Sequence, residues 1–224
     1  MQIQILPSLL AADFGCLRAE ALRAESEGAD SLHLDIMDAH FVPNLSMGPD
    51  VVRMCKDALH IPLSVHLMMT RPDQYLINFI EAGADSLLIH IEAECDVPKA
   101  LHRIHEQGVR AGITVNPDTP AQMIFPVLDT VEEVLCMTVH PGYGGQSFIS
   151  EVLPKIRSLR DAANQNDQAD LDIMVDGGIT DETAAACARA GANLFVAGTS
   201  LYGDPDMKQA IERMRRGACE AFVS

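Results

Sequence analysis

Glu81-Ala82-Gly83-Ala84-Asp85-Ser86-Leu87-Leu88-Ile89-His90 is the stretch that decides how this chain is built. A helical pattern runs into Gly83, and a β-prone apolar run begins a few positions later. This is how a helix closes on a glycine before a buried strand starts. Arg189-Ala190-Gly191-Ala192-Asn193 repeats the junction, and so does Glu27-Gly28-Ala29-Asp30. The recurrence is structural punctuation, not a chemical motif.

Working outward from these junctions, short β-rich runs fall at Ile3–Leu6, Ser31–Met37, Leu63–Met68, Ser86–His90, Ala111–Val115, Glu133–Val139, Asp172–Asp176 and Asn193–Ala197. Between them lie amphipathic segments such as Leu17–Glu27, Asp73–Glu81, Val97–Gln107, Ser150–Ala163, Asp181–Arg189 and Met207–Phe222. The polar stretch Asn164–Asp170 reads as a surface loop. Eight strands alternating with helices predict right-handed βαβ crossovers closing on themselves, an α/β (β/α)8 TIM barrel. The 224 residues suit one such domain over residues 1–224. A doubly wound open sheet would alternate in the same way, but no GxGxxG follows the first strand.

Lys and Arg total 16 against 32 Asp and Glu, a formal net charge of -16, which disfavours nucleic acid and anionic lipid as partners. The six cysteines show no CxxC spacing, which speaks against a zinc ribbon or redox pair and for a reducing cytoplasm. No basic region precedes an apolar one after Met1, and no run approaches the roughly 20 apolar residues of a membrane span. The expectation is a cytoplasmic protein without membrane contact.

Along Ser31-Leu32-His33-Leu34-Asp35-Ile36-Met37 the side chains alternate, so Leu32, Leu34 and Ile36 face the helices while His33, Asp35 and Met37 face the barrel interior. An unpaired charge there costs several kcal/mol, so something must compensate His33 and Asp35, and a cation does so economically. The same alternation turns His66 inward at the end of the third strand and Asp176 at the end of the seventh. All four lie at strand carboxyl ends, where barrels place their active sites. Two imidazoles and two carboxylates form a mixed nitrogen and oxygen set suited to one divalent ion, Zn²⁺, Fe²⁺, Mn²⁺ or Co²⁺, and without the sulfur of structural zinc. Taken singly, each His could be a satisfied core residue and each Asp a turn residue. Their convergence from separate strands argues otherwise.

Three glycine-bearing loops follow the last three strands: His140-Pro141-Gly142-Tyr143-Gly144-Gly145-Gln146-Ser147, Asp176-Gly177-Gly178-Ile179 and Ala197-Gly198-Thr199-Ser200. Such loops, with helix N-termini, cradle phosphate through backbone amides in many barrels. A phosphorylated substrate follows, although single glycines after strands are also ordinary turn chemistry.

Pro7-Ser8-Leu9-Leu10-Ala11-Ala12-Asp13-Phe14, His33-Leu34-Asp35-Ile36-Met37-Asp38, His40-Phe41-Val42-Pro43-Asn44, His66-Leu67-Met68 and Asn116-Pro117-Asp118-Thr119-Pro120, with the later glycine loops, together resemble the ribulose-phosphate 3-epimerase family. The resemblance covers nearly the whole chain. It implies a barrel of the ribulose-phosphate-binding type in which His33, Asp35, His66 and Asp176 hold one divalent metal, and Asp35 and Asp176 also carry the protons. Ser8 is implied as a substrate contact, as are His66 and Asp176, and Gly142, Gly144, Gly145, Gly177, Gly178, Gly198, Thr199 and Ser200 lie around the phosphate. Met37, Met68 and Met137 pad the reacting centre. As ordinary residues these methionines would simply be core filler.

The implied enzyme is an isomerase of carbohydrate metabolism that interconverts D-ribulose 5-phosphate and D-xylulose 5-phosphate, needs no organic cofactor and forms a homo-oligomer. A carboxylate of pKa about 4 falls short of such a carbon acid by on the order of 10 units, roughly 14 kcal/mol, so electrostatic stabilisation of an enediolate must supply most of the difference. Two positions depart from the family pattern: Ala39 where Gly is usual, and His140 where Asn or Asp precedes Pro-Gly. Both stand near the expected substrate region and leave open another ketose phosphate, such as D-allulose 6-phosphate. An aldol-type lyase on the same barrel is a further alternative. A related decarboxylase would want a lysine among the strand-end aspartates, and none is present. A non-catalytic barrel would bind ligand without proton exchange. His60, His90, His102 and His105 receive no role.

Overall fold

The computed structural model describes residues 1–222, so the last two positions of the domain expected over 1–224 lie outside the described residues. Eight strands form one sheet in the order β1-β8-β7-β6-β5-β4-β3-β2. They are β1 Gln4–Pro7, β2 Leu32–Met37, β3 Leu63–Met68, β4 Ser86–His90, β5 Arg110–Val115, β6 Glu133–Met137, β7 Asp172–Asp176 and β8 Leu194–Ala197. Every neighbouring pair is parallel. The ring closes between β1 and β2, where the Asp30 N–H donates to the Ile5 carbonyl at 3.1 Å and Ser8 forms a parallel bridge with His33.

The helices are α1 Leu17–Ser26, α2 Pro49–Ala58, α3 Leu76–Glu81, α4 Val97–Glu106, α5 Leu153–Gln165, α6 Asp181–Ala190, α7 Thr199–Tyr202 and α8 Met207–Ala221. The predicted strands agree with the observed ones to within two residues at either end. Helix starts shift more: the segments expected from Asp73 and Ser150 open as 3-10 turns over Pro72–Gln74 and Ser150–Val152, and the α-helices begin at Leu76 and Leu153. Helix α2, which opens on Pro49, carries the β2–β3 crossover and was not among the helical segments named from the pattern. Between β5 and β6 two 3-10 turns, Ala121–Met123 and Phe125–Thr130, replace the α-helix that the eightfold beat implies. Pro117, Pro120 and Pro126 withhold backbone donors there and interrupt a regular ladder.

The junction glycines Gly28, Gly83 and Gly191 have φ of 95°, 106° and 111°, the left-handed turn their spacing predicts. Two apolar layers follow from strand alternation. Leu32, Leu34, Ile36, Leu63, Val65 and Leu67 join the helices in the larger core. Leu6, Leu88, Leu135, Met137, Met174, Leu194 and Val196 fill the barrel interior. Among the described residues no helix is long and apolar enough to cross a membrane.

At the amino ends of the strands Arg160 of α5 is buried, 1% exposed. Its guanidinium donates to the Gly191 and Leu171 carbonyls at 3.0 and 2.9 Å and to Asn193 Oδ1 at 3.2 Å, tying α5 to the loops entering β7 and β8. Truncation strands buried carbonyls without a donor. Arg160→Leu should therefore destabilise the fold by about 2–4 kcal/mol in urea unfolding, while the turnover of the folded fraction stays unchanged.

Candidate active site

Strands β2, β3 and β7 bring the four expected polar groups to one point. His33 and His66 are fully buried and Asp35 is 3% exposed, while Leu32, Leu34 and Ile36 pack outward as the alternation requires. The β2–β3 register sets Asp35 beside His66 and His33 beside Ser64. Asp176 ends β7, with one side open to a cavity. One nitrogen or oxygen from each of His33, Asp35, His66 and Asp176 lies within 4.8 Å of the others.

Asp35 is the hub. Its Oδ2 accepts the Ser8 hydroxyl at 2.5 Å, and its Oδ1 lies 3.2 Å from His66 Nδ1 and 3.4 Å from His33 Nε2. Burial alone would raise its pKa, but the positive charge of His33 beside it outweighs burial and holds the carboxyl well below the usual range. Burial also disfavours a charge on His33, yet Asp35, Asp176 and Glu133 together keep its pKa above the ordinary value. Asp176 goes the other way. Burial and the negative charge of Asp35 push it up to about 7, so the two carboxyls differ in readiness to hold a proton.

The donor set fits a divalent cation. His33 Nδ1 lies 3.2 Å from Ser64 Oγ, while its buried Nε2, aimed at Asp35, has no hydrogen-bond partner among the described residues. Two imidazole nitrogens and two carboxylates converging in this way form a possible metal-binding set.

Above them opens a cavity of about 490 Å³. Ser8, Asp35 and Asp176 line its floor with Met37, Met68 and Met137, and the two imidazoles sit beneath. Its far wall is backbone: Gly142, Gly144 and Gly145 from the loop after β6, Gly177 and Gly178 after β7, and Gly198, Thr199 and Ser200 after β8. Gly178 has φ 64°, and a Cβ there would stand 2.6 Å from the Phe148 nitrogen, so only glycine lets the two loops meet. Among the described residues the N–H groups of Gly178, Thr199 and Ser200 donate to no protein acceptor. The Ser200 hydroxyl is used, donating to the Ile179 carbonyl at 2.6 Å. The β6 loop is docked across the barrel mouth, with Tyr143 Oη donating to the Pro43 carbonyl at 2.8 Å and Asn44 Nδ2 to the Gly142 carbonyl at 2.7 Å.

Several residues that serve this site went unnamed in the sequence pattern. Thr138 donates from Oγ1 to the Asp176 and Gly177 carbonyls at 2.9 and 2.6 Å, pinning the end of β7. Ser46 donates to the Asp35 carbonyl at 2.6 Å and accepts the Met37 N–H at 3.0 Å. His90, given no role by the pattern, is fully buried with Nε2 at 2.9 Å from His66 Nε2. Period two along β4 turns His90 inward with Leu88, a signal that was available. His60 and His102 are exposed and His105 pairs with Glu132 at 3.0 Å, in keeping with no role.

The two departures lie at the rim. His140 is exposed, 3.7 Å from Asp118, and neither it nor Ala39 lines the cavity. Ala39 has φ 59°, a left-handed backbone at an exposed position. This accounts for the glycine usual there.

Fold and site together define a (β/α)8-barrel enzyme with an acid pair and a possible metal set at the carboxyl ends of its strands. The profile of the Ribulose-phosphate 3 epimerase family matches residues 4–202. The chain is 47% identical over 213 residues to the ribulose-phosphate 3-epimerase of Bacillus subtilis, covering 95% of this chain and 98% of that one. It is 40% identical over 215 residues to the Escherichia coli enzyme of the same name, covering 96% and 95%. Among solved structures, the 3-keto-L-gulonate-6-phosphate decarboxylase of Vibrio cholerae superposes with a TM-score of 0.76 at 16% identity over 100% of both chains, a likeness of fold alone. The chain belongs to the ribulose-phosphate 3-epimerase family, and it is an isomerase of the epimerase class.

Ala39→Gly should relieve the left-handed strain and raise stability by about 0.5–1 kcal/mol in denaturant unfolding, with kcat and KM unaltered. A loss of stability would mean that the Ala39 methyl makes a compensating contact.

Proposed function

We propose that this enzyme interconverts D-ribulose 5-phosphate and D-xylulose 5-phosphate by inverting C3 through an enediolate. The observation that carries this reading is the pair of carboxyls, Asp35 from β2 and Asp176 from β7, within 4.8 Å of each other on the floor of the cavity. One carboxylate takes the C3 proton, the C–H electron pair moves into the neighbouring carbonyl, and the other carboxyl returns a proton to the opposite face. The reverse reaction exchanges their roles. Ser8, donating to Asp35 Oδ2, holds that carboxylate in one orientation beneath the substrate.

His33, Asp35, His66 and Asp176 would hold one divalent ion, Zn²⁺, Fe²⁺, Mn²⁺ or Co²⁺. When bound, such an ion supplies Lewis acidity toward the charge developing on the ketose oxygens. Met37, Met68 and Met137 keep water from the reacting carbon. The unpaired N–H groups of Gly178, Thr199 and Ser200 receive the phosphate, aided by the other glycines of the wall, so a chain of net charge -16 binds a dianion through local dipoles. All six cysteines are free, in keeping with a reducing cytoplasm.

NMR of ribulose 5-phosphate in D₂O with metal-loaded enzyme should show deuterium entering C3 as xylulose 5-phosphate forms, and both should cease after chelation. Asp35→Asn and Asp176→Asn should each lower epimerisation by roughly 10²–10⁴-fold or more, the single-residue loss leaving solvent exchange from only one epimer. Exchange and epimerisation of D-allulose 6-phosphate alone would move the substrate to the larger ketose. Cleavage to an aldehyde would establish a lyase instead.

A further inference from the structure

His66 and His90 meet through their Nε2 atoms at 2.9 Å, with ring planes 23° apart and centroids 5.0 Å apart, an edge-to-edge approach of two fully buried imidazoles. Two lone pairs cannot face each other at that distance, nor can two N–H groups, so one nitrogen donates and the other accepts. The other side of His90 decides which. Its Nδ1 lies 3.1 Å from Glu92 Oε2, and a carboxylate only accepts. His90 therefore carries its proton on Nδ1 and offers a lone pair from Nε2, so His66 must donate from Nε2. That leaves His66 Nδ1 bare, 3.2 Å from Asp35 Oδ1, an oxygen that also faces the unpartnered His33 Nε2 at 3.4 Å. Bare Nδ1 and carboxylate Oδ1 are both acceptors and repel each other at that distance unless a cation lies between them, so the arrangement suits a bound ion.

The outer end is anchored. Glu92 Oε1 accepts the Asn116 N–H at 2.9 Å, and Lys155 of α5 donates to the Asn116 and Pro117 carbonyls at 2.6 and 2.7 Å. Phe41 covers the His90 ring, 4.5 Å between centroids. The chain Lys155, Asn116, Glu92, His90, His66 thus runs from an outer helix to the floor of the site and gives the Asn116-Pro117 segment a purpose.

We propose that His90 and Glu92 are positioning residues, a buried relay that fixes His66 as its Nε2–H tautomer and aims the bare Nδ1 at the divalent-ion site. The inference rests on the metal-site reading above. Outer-shell partners that orient a ligating imidazole typically change metal affinity 10–100-fold when removed.

The test starts with metal-free, ¹⁵N-labelled wild-type enzyme and long-range ¹H–¹⁵N correlation spectra. His66 should appear as Nε2–H and His90 as Nδ1–H; an Nδ1–H tautomer at His66 overturns the relay whatever the metal does. Co²⁺ titration followed by its visible absorption then compares wild type with His90→Phe and with Glu92→Gln, the latter at a partly exposed position that tolerates an isosteric change. Each variant should bind Co²⁺ 10–100-fold more weakly with an unchanged circular dichroism spectrum, and Glu92→Gln should leave His66 exchanging between tautomers. Wild-type affinity in a folded Glu92→Gln enzyme also overturns the relay. If the wild type takes up no Co²⁺ the metal-site reading fails instead, and the tautomers still decide the relay.

Discussion

A single carboxylate, Asp35, sits inside a protein barrel with 3% of its surface exposed, and much of the molecule is arranged around it. An ion in that position is tolerated only when charge and hydrogen bonds replace the water it has lost. Ser8 supplies a hydroxyl, and His33 supplies positive charge on the other side. The bridge between Ser8 and His33 also closes β1 against β2. Closing the barrel and completing the environment of Asp35 are therefore one event, which ties this buried carboxylate to the integrity of the fold.

The interior is divided accordingly. Leu6, Leu135, Met174, Leu194 and Val196 give one side of the barrel a dry packed filling, while β2, β3 and β4 turn His33, Asp35, Ser64, His66 and His90 inward. The polar side gathers the two carboxyls and the possible metal-binding set, and the apolar side keeps that polarity local, where low dielectric strengthens each interaction. The mouth differs again: loops after β6, β7 and β8 line it with backbone in place of basic side chains. A chain carrying so large a negative charge gains little from long-range attraction of any anion, so an anion at that mouth would depend on short-range amide dipoles.

Much of the site was legible because a strand's period of two is a strict rule. Once Ser31–Met37 is recognised as a strand, the inward placement of His33 and Asp35 follows, and His66 and Asp176 follow from their own strands. Residues that act through loops were not legible. Ser46 reaches the backbone of Asp35 and Met37 from beyond β2, and Thr138 grips the Asp176 and Gly177 carbonyls from the next strand. No periodicity announces either contact. His90 lay between these cases: its inward direction could be deduced from β4, but its partner could not, because contact with His66 depends on how neighbouring strands are staggered.

By itself the sequence determined the eight strands, the left-handed glycines that separate helix from strand, and the four groups that meet under the cavity, because these depend on local periodicity and backbone sterics. Tertiary structure alone decided that 3-10 turns replace a helix between β5 and β6, that Ala39 adopts a left-handed backbone, and which carboxyl is held low and which is raised. Charge and proton affinity in a closed barrel depend on distances between strands far apart in the chain. Those distances exist only once the sheet has closed on itself.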